Sequence, residues 1–319
     1  MKITVIGCGR WGSLIAWYLD RLGHAVTLYG RSSSANMQQF LKTRSNGLLV
    51  LPPSVLLSTE ITAAKECDTL IISIGSQGLR ALIEKELVPL GLQDKTVVLC
   101  MKGIEISTGK RLSQIVEETL DASNRVAVWL GPGHVQEFFA GVPNCMVIDS
   151  RDEATKARLV DAFSGELIRF YYGQDLIGNE VGAAAKNVIG IAAGFLDGMK
   201  LSTLKGALMS RGTREIARLI EAMGGNPVSA YGLCHLGDYE ATVFSPYSHN
   251  RKFGECFIRG EEFDALAEGY YTVAALKGLS QKYGVELPIC ETVYRILYEN
   301  ADFHIEMDAL FHRDLKSEF

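Results

Sequence analysis

The strongest constraint on the fold is a glycine-rich turn at the start of the chain. Residues 2–6, KITVI, have the composition of a buried strand, and GCGRWG follows directly with Gly7, Gly9 and Gly12 in the GxGxxG spacing. Apolar residues then recur at a helical period from Leu14 to Leu22. A GxGxxG turn between a strand and a helix brings a dinucleotide pyrophosphate to a helix N-terminus. The chain start therefore predicts a dinucleotide-binding βαβ unit; the alternative is a structural glycine turn without a ligand.

Short β-rich apolar runs continue through the first half of the chain, separated by helix-length segments. They lie at residues 2–6, 25–29, 68–74, 95–101, 125–129, 145–148 and 167–172. Such runs are typical of parallel strands buried on both faces. From about Asn179 onward helical periods dominate. We therefore expect an α/β fold with an N-terminal Rossmann-type parallel-sheet dinucleotide-binding domain, residues 1–178, and an all-α C-terminal domain for the substrate, residues 179–319.

Composition narrows the class of protein. A length of 319 residues exceeds what one core usually holds, which supports two domains. The net charge of -5 arises from mixed acids and bases without a basic block, so we expect no nucleic-acid partner. Seven scattered cysteines without a CxxC pair argue against a disulfide framework and a metal site. No apolar run approaches about 18 residues, and no signal peptide precedes the first strand, so we expect a cytoplasmic protein without membrane insertion.

The end of the second strand bears on the choice of cofactor. An Asp or Glu at this point would bind the adenine ribose, but LYGR carries Arg31, followed by three serines. Because arginine accepts a 2'-phosphate, we expect NAD or NADP, with NADPH compatible. The alternative interpretation of Arg31 is an ordinary solvated surface residue.

A lysine and an asparagine interrupt the small-residue segment GAAAKNVIGIAAG, residues 182–194. In a helix, Lys186 shares a face with Gly182 and Gly190, and Asn187 lies one position round. Burying an ammonium group costs several kcal/mol unless it is paired, so we expect Lys186 to meet a ligand in a hollow left by its small neighbours. The alternative is a helix packed tightly on another through its glycines, with the lysine at the rim.

Three other segments place polar residues where ligands of an open α/β sheet bind. Lys102 follows the carboxyl end of a strand, and GPGHVQEF, residues 131–138, is a glycine-rich turn after the next strand. His134 and His235 lie in such segments and are minor candidates for substrate contact. The third segment, residues 231–255, is a loop-like stretch that contains Asp238, Thr242, Ser248, Asn250 and Arg251.

Together these segments resemble the bacterial-type NAD(P)-dependent glycerol-3-phosphate dehydrogenases. The family's features occur in order along essentially the whole chain: GxGxxG followed by Trp11, KGIE, a GP(S)xxxE turn, ExxGAxKNVxxIAxG, LxxRGxxE, GLxxLGDxxxT, SxNRxxG and EGxxT. The resemblance implies hydride transfer between NAD(P)H and dihydroxyacetone phosphate, a phosphorylated triose. The product would be sn-glycerol 3-phosphate for phospholipid precursor synthesis. A homodimer that pairs through the helical half is implied at the level of the fold.

The resemblance also assigns roles to residues. Lys186 matches the family's catalytic lysine, which protonates the substrate carbonyl oxygen, and burial beside a second lysine should lower its pKa towards about 7 to 8. The predicted catalytic set is Lys186, Lys102, Asn187, Asp238 and Thr242. The predicted substrate-binding set is Lys102, Gly131, Gly133, Lys186, Asp238, Ser248, His249, Asn250 and Arg251. The predicted cofactor-binding set is Gly7, Gly9, Arg10, Trp11, Gly12, Arg31, Lys102, Val135, His249 and Glu268. No metal is expected.

Two positions depart from the family pattern. His249 replaces the first arginine of the family's SRNR segment, and Gly133 stands where the family's GPS carries serine. Histidine offers fewer donors than arginine, which predicts weaker and more pH-dependent phosphate binding, with Arg251 or Lys102 compensating. Two alternatives therefore stay open. Strong turnover of a related ketone would favour a reductase with a changed substrate, whereas cofactor binding without turnover would favour a non-catalytic nicotinamide-binding regulator.

Overall fold

The N-terminal part of the protein is built on one eight-stranded sheet. The computed structural model describes residues 1–315, 317 and 318. The strands are β1 (Lys2–Ile6), β2 (Ala25–Tyr29), β3 (Leu56–Ser58), β4 (Thr69–Ile72), β5 (Thr96–Leu99), β6 (Arg125–Leu130), β7 (Asn144–Ser150) and β8 (Ile168–Tyr172). Their order is β3-β2-β1-β4-β5-β6-β7-β8. The predicted α/β architecture is confirmed.

The sheet differs from the prediction in two respects. All seven predicted runs form strands, but β3 was missed because it has three residues, at the sheet edge, and its Leu56 is exposed. The sheet is also not wholly parallel, since β7 pairs antiparallel with β6. The helix between them, Val135–Phe139, is about 7.5 Å long, too short to return the chain to the other end of the sheet.

Among the described residues, six α-helices accompany the sheet, and six more make up the C-terminal part. The first six are α1 (Arg10–Arg21), α2 (Ala35–Thr43), α3 (Leu79–Leu82), α4 (Leu112–Thr119), α5 (Val135–Phe139) and α6 (Glu153–Phe163). The others are α7 (Leu176–Gly198), α8 (Lys205–Ala222), α9 (His249–Arg259), α10 (Glu268–Tyr283), α11 (Pro288–Tyr298) and α12 (Phe303–Phe311). A wider π-helical turn, Ile83–Leu87, continues α3. The predicted boundary at residue 178 falls in the first turn of α7.

Helix α7 is the centre of the C-terminal part, with nearly every residue buried. Its glycines pack against neighbouring backbone and side chains. A Cβ atom at Gly194 would lie 2.0 Å from the carbonyl oxygen of Arg251, and one at Gly190 would lie 2.6 Å from Cγ2 of Thr242. The expectation that these small residues leave a hollow is therefore wrong: they allow close packing. The alternative interpretation placed the lysine at the rim of a tightly packed helix. It was wrong about the lysine, because Lys186 is only 7% exposed.

The stretch at residues 231–255 was predicted to be loop-like, and it is largely helical. It contains 3-10 turns that include Leu236–Asp238, a π-helical turn at Glu240–Phe244 and the start of α9. Ser248 caps α9, since its side chain accepts a hydrogen bond from the amide of Arg251. A serine before the charged run was the sequence signal for this helix start.

Candidate active site

The glycine turn after β1 has the close backbone packing that its sequence requires. Gly7 has φ +111°, and a Cβ atom there would lie 2.1 Å from the carbonyl oxygen of Ser73. A Cβ at Gly12 would lie 1.9 Å from the carbonyl oxygen of Gly7. By contrast, nothing lies within 4 Å of a Cβ at Gly9. The turn therefore leaves open space at the N-terminus of α1, the geometry that suits a dinucleotide pyrophosphate.

Three charged side chains from separate segments meet beyond the carboxyl ends of β5 and β6. Oδ2 of Asp238 accepts from Nζ of Lys102 at 2.6 Å and lies 3.1 Å from Nζ of Lys186. Lys102 also donates to the carbonyl oxygen of Gly131 at 2.6 Å, and Lys186 donates to Oγ1 of Thr242 at 2.6 Å. Each ammonium group has three donors and uses two, so each keeps one for a ligand.

The environment of this cluster sets the charge on Lys186. The pKa of Lys186 is lowered to about 8, mainly by burial and also by the charge of Lys102, whereas Asp238 acts to raise it. The other carboxylate oxygen of Asp238, Oδ1, is buried without a hydrogen-bond partner among the described residues. A buried acceptor without a partner is costly, so its presence beside two lysines indicates a position that a ligand donor fills.

Two asparagines connect this cluster to α9 and α10. Nδ2 of Asn187 donates to the carbonyl oxygen of Lys102 at 3.1 Å, and Oδ1 of Asn187 accepts from Nδ2 of Asn250 at 3.0 Å. Oδ1 of Asn250 accepts from the amide of Gly269 at 2.9 Å. Because an amide side chain both donates and accepts, this series of hydrogen bonds fixes the orientations of both asparagine side chains. Thr242 is held similarly, since its hydroxyl donates to the carbonyl oxygen of Asp238 at 2.7 Å.

The turn between β6 and α5 borders the lysine cluster. Gly133 has φ +144°, and a Cβ atom there would lie 2.2 Å from the Phe138 ring. The next residue, His134, packs edge-on against Tyr247 with ring centroids 5.5 Å apart, and its Nε2 is buried without a partner in the described structure. Burial and the nearby Lys186 lower the pKa of His134 to about 4, so the ring is neutral at pH 7. His134 was only a minor candidate from the sequence.

Four predicted cofactor residues surround the glycine turn or lie at the strand ends. Trp11 packs against Phe138 with ring centroids 5.9 Å apart, and Val135 is buried at the start of α5. Arg31 is exposed just after β2. Glu268 is held by Ser76, whose amide and hydroxyl donate to its carboxylate at 3.1 Å and 2.6 Å. Glu268 thus ties the start of α10 to the turn after β4.

His249 and Arg251, both predicted at the substrate phosphate, have separate partners. Arg10 of the glycine turn contacts His249, with its guanidinium nitrogen 2.7 Å from Nε2. Arg251 instead pairs with Asp197 at 2.8 Å and donates to the carbonyl oxygen of Ser245. Asp197 lies about 15 Å beyond Asn187 along α7. The guanidinium of Arg251 is therefore engaged at the far end of α7, where Asp197 also pairs with Lys205.

The buried His235 has a structural explanation, and a separate cavity lies away from the predicted site residues. His235 is fully buried between the carbonyl oxygen of Gly182 at 2.8 Å and the hydroxyl of Tyr239 at 2.7 Å, which holds α7 against the following segment. A cavity of about 590 Å³ between α7, α8, α11 and α12 is lined by none of the predicted site residues. Within the described residues, no cluster of His, Cys, Asp or Glu could hold a metal ion, and no helix could cross a membrane.

Comparison with known proteins places this arrangement in a family. The model of the NAD-dependent glycerol-3-phosphate dehydrogenase N-terminus matches residues 2–156, and that of the C-terminus matches residues 175–308. A glycerol-3-phosphate dehydrogenase [NAD(P)+] from Prosthecochloris aestuarii is 35% identical, and the match covers 100% of both chains. The chain belongs to the NAD-dependent glycerol-3-phosphate dehydrogenase family.

A second relative and a crystal structure are also similar to this chain. A glycerol-3-phosphate dehydrogenase [NAD(P)+] from Thermoanaerobacter sp. is 34% identical over 100% of this chain and 99% of its own. The crystal structure of glycerol-3-phosphate dehydrogenase from Coxiella burnetii superposes with a TM-score of 0.91 at 28% identity, over 98% of this chain and 99% of that one. The resemblance drawn from the motifs is thus confirmed, and so is the Rossmann-type fold. The lysine cluster lies where the two family halves meet.

Proposed function

We propose that this protein is an NAD(P)-dependent glycerol-3-phosphate dehydrogenase that interconverts dihydroxyacetone phosphate and sn-glycerol 3-phosphate. The observation that carries the proposal is the buried cluster of Lys186, Lys102 and Asp238 beside an open glycine turn, in a chain of this family. The bound nicotinamide cofactor supplies the hydride. The residues of the chain bind and orient the ketone and move the proton.

Lys186 is the proposed proton donor to the substrate carbonyl oxygen. Negative charge develops on that oxygen during reduction, so a cation beside it stabilises the transition state more than the ground state. With a pKa of about 8, Lys186 is mostly protonated at pH 7 and still gives up its proton readily. In the oxidation direction the neutral amine takes the proton back.

The other groups of the cluster suit a ketone with a neighbouring hydroxyl. The free donors on Lys102 and Lys186 match the carbonyl oxygen, and the unpartnered Oδ1 of Asp238 matches a hydroxyl donor. Asn187 and Thr242 hold the two lysines and Asp238 in position through their hydrogen bonds. An α-hydroxyketone is therefore the substrate class that leaves the fewest buried polar atoms without partners.

The remaining assignments complete the proposal. The glycine turn, Trp11, Val135 and Glu268 face the cofactor, with Arg31 at the adenine ribose. Ser248, Asn250 and residues around them receive the substrate phosphate. We retain a domain boundary near residue 178, a cytoplasmic location and a role in phospholipid precursor synthesis as parts of the proposal. A homodimer that pairs through the helical half is also part of the proposal, at the level of the fold.

The test is oxidation of NADH and of NADPH by the purified protein with dihydroxyacetone phosphate, with the product identified as sn-glycerol 3-phosphate. Lys186→Met provides the catalytic control, since it removes the ammonium group and keeps the volume. Turnover by the wild type that is lost in this variant supports the proposal. Cofactor binding without turnover of dihydroxyacetone phosphate would refute it.

A reductase for a related ketone is the second candidate, and the departure at Gly133, which lacks the serine hydroxyl of the family pattern, favours it. The same assay with dihydroxyacetone, a 2-keto acid and glyceraldehyde 3-phosphate separates the two candidates. A kcat/KM higher for one of these than for dihydroxyacetone phosphate would select the second candidate.

A further inference from the structure

Two helix N-termini meet at one contact between the two halves of the protein. Helix α1 begins at Arg10, directly after Gly9, and α9 begins at His249, directly after its cap Ser248. The guanidinium of Arg10 lies 2.7 Å from Nε2 of His249, although the residues are 239 positions apart in sequence. The first residue of each helix therefore touches the first residue of the other.

The hydrogen bond fixes the chemical state of His249. Arginine only donates, so Nε2 of His249 must accept with a lone pair, and the ring proton lies on Nδ1. That nitrogen faces the carbonyl oxygen of Leu266 at 3.3 Å. Burial and the charge of Arg10 also lower the pKa of His249. The imidazole is neutral and uses both nitrogens, so Arg10 carries the positive charge of this pair.

An uncompensated guanidinium is poorly placed at this point. The N-terminus of an α-helix carries roughly half a positive charge, and both α1 and α9 are long enough to have one. In the described structure the guanidinium of Arg10 has only the neutral His249 as a hydrogen-bond partner. A cation between two positive helix ends is stabilised by an anion. The junction borders the lysine cluster, because Asn250, next to His249, donates to Asn187, next to Lys186, at 3.0 Å, and the unpartnered Oδ1 of Asp238 marks a ligand position in that cluster. The anion therefore belongs to that same site.

We propose that Arg10 supplies, from the glycine turn, the phosphate-binding positive charge that the family's SRNR segment carries at position 249. His249 acts as a positioning residue that orients the guanidinium through Nε2. The inference rests on the proposed function, because the anion is a phosphate group of the substrate or of the cofactor. Arg251 and Lys102 do not replace the missing arginine, since Arg251 pairs with Asp197 and Lys102 with Asp238.

Moving the arginine from position 10 to position 249 tests the proposal. Four proteins are compared: the wild type, Arg10→Ser, His249→Arg and the double variant with both changes. Calorimetry gives the Kd of NADH and NADPH for each protein, and the Kd of dihydroxyacetone phosphate in the presence of NAD+, where no turnover occurs. Lys252→Gln, which removes an exposed cation of α9, is the matched control. Thermal unfolding verifies that each variant is folded, and Arg10→Gln replaces Arg10→Ser if the latter is not.

Each single variant should weaken one phosphate-containing ligand by roughly 10- to 100-fold, because it loses charge-assisted hydrogen bonds or crowds two guanidinium groups. The double variant should recover to within about threefold of the wild type, since one arginine again faces both helix ends. Recovery for dihydroxyacetone phosphate identifies the substrate phosphate, and recovery for the dinucleotides identifies a cofactor phosphate. Lys252→Gln should change neither affinity.

Two results would overturn the proposal: an Arg10→Ser variant that binds all ligands like the wild type, or a double variant as weak as the product of the single effects. Failure of the proposed function is distinguishable, because it appears as absence of wild-type turnover. If dihydroxyacetone phosphate does not bind the wild type at all, the proposal is tested by the dinucleotide affinities of the four proteins alone. It then stands or falls on whether the double variant regains the wild-type affinity.

Discussion

Replacing Asp238 by asparagine tests what sets the pKa of Lys186. Burial and Lys102 lower that pKa, Asp238 raises it, and the net value is about 8. Asparagine has nearly the same shape and keeps a hydrogen-bond acceptor, but it removes the negative charge 3.1 Å from Nζ of Lys186. The ammonium form of Lys186 then loses its main stabilising partner, so its pKa must fall.

The structure bounds the size of this fall. Two unit charges 3.1 Å apart interact by about 5 kcal/mol at an effective dielectric constant of about 20. That figure is an upper limit, because the same carboxylate oxygen also binds Lys102 at 2.6 Å. An opposite charge at this range typically changes a pKa by about one to three units. From a starting value of about 8, we expect Lys186 to titrate at roughly pH 5 to 7 in the variant.

The assay is the pH profile of kcat/KM for reduction of dihydroxyacetone phosphate, which reports groups of the free enzyme. Reduction needs the protonated lysine, so wild-type activity should decline as the pH rises through about 8. In Asp238→Asn the decline should begin at lower pH. Asp149→Asn is the control, because Asp149 is equally buried but faces Lys156. An unchanged basic limb in Asp238→Asn would refute the assignment of Asp238 as the group that holds Lys186 protonated.

Three further predictions concern single positions. Lys186→Met should lower kcat by about 10²- to 10⁴-fold while the NADH affinity, measured by fluorescence titration, stays the same; equal loss of cofactor binding would contradict the role in proton transfer. Gly133→Ser should lower the free energy of unfolding in urea by about 1–3 kcal/mol, because its Cβ would lie 2.2 Å from the Phe138 ring, and Phe138→Leu should restore part of it; an unchanged stability would disprove this. Arg31→Ser should weaken NADPH binding by roughly tenfold and leave NADH binding unchanged, because only NADPH carries the 2'-phosphate; parallel losses would mean that Arg31 does not contact that group.

The sheet could be predicted well because its signals are local. A buried strand shows as a continuous apolar run, and a glycine turn shows as fixed spacing, so β1, the turn and α1 follow from the first 22 residues. The reversal at β7 depends on the length of α5 rather than on the composition of the strand. Strand β3 lies at the sheet edge and pairs with β2, and three residues of sequence do not reveal that pairing.

The residues of the candidate site were easier to predict than their contacts. Lys186 stood out because a lysine among small residues is costly to bury, and its burial is observed. The glycines around it were misinterpreted, since empty volume and tight packing have the same sequence signature. Whether a glycine leaves empty volume or allows tight packing depends on the segment that faces it. Gly190 faces Thr242, and Gly194 faces the backbone of α9. Such contacts join segments that are distant in sequence, so they could not be predicted from the sequence alone.

His249 shows how this limit changes a functional conclusion. Considered alone, a histidine in place of arginine predicts weaker phosphate binding. In the folded protein, the same position faces Arg10, and an arginine at both positions would place two guanidinium groups between two helix N-termini. What the fold constrains is therefore the number of positive charges at this junction, not the residue at position 249. A single arginine at this junction is compatible with phosphate binding whether it stands at position 10 or at position 249. The substitution at 249 by itself is therefore no argument for a changed substrate.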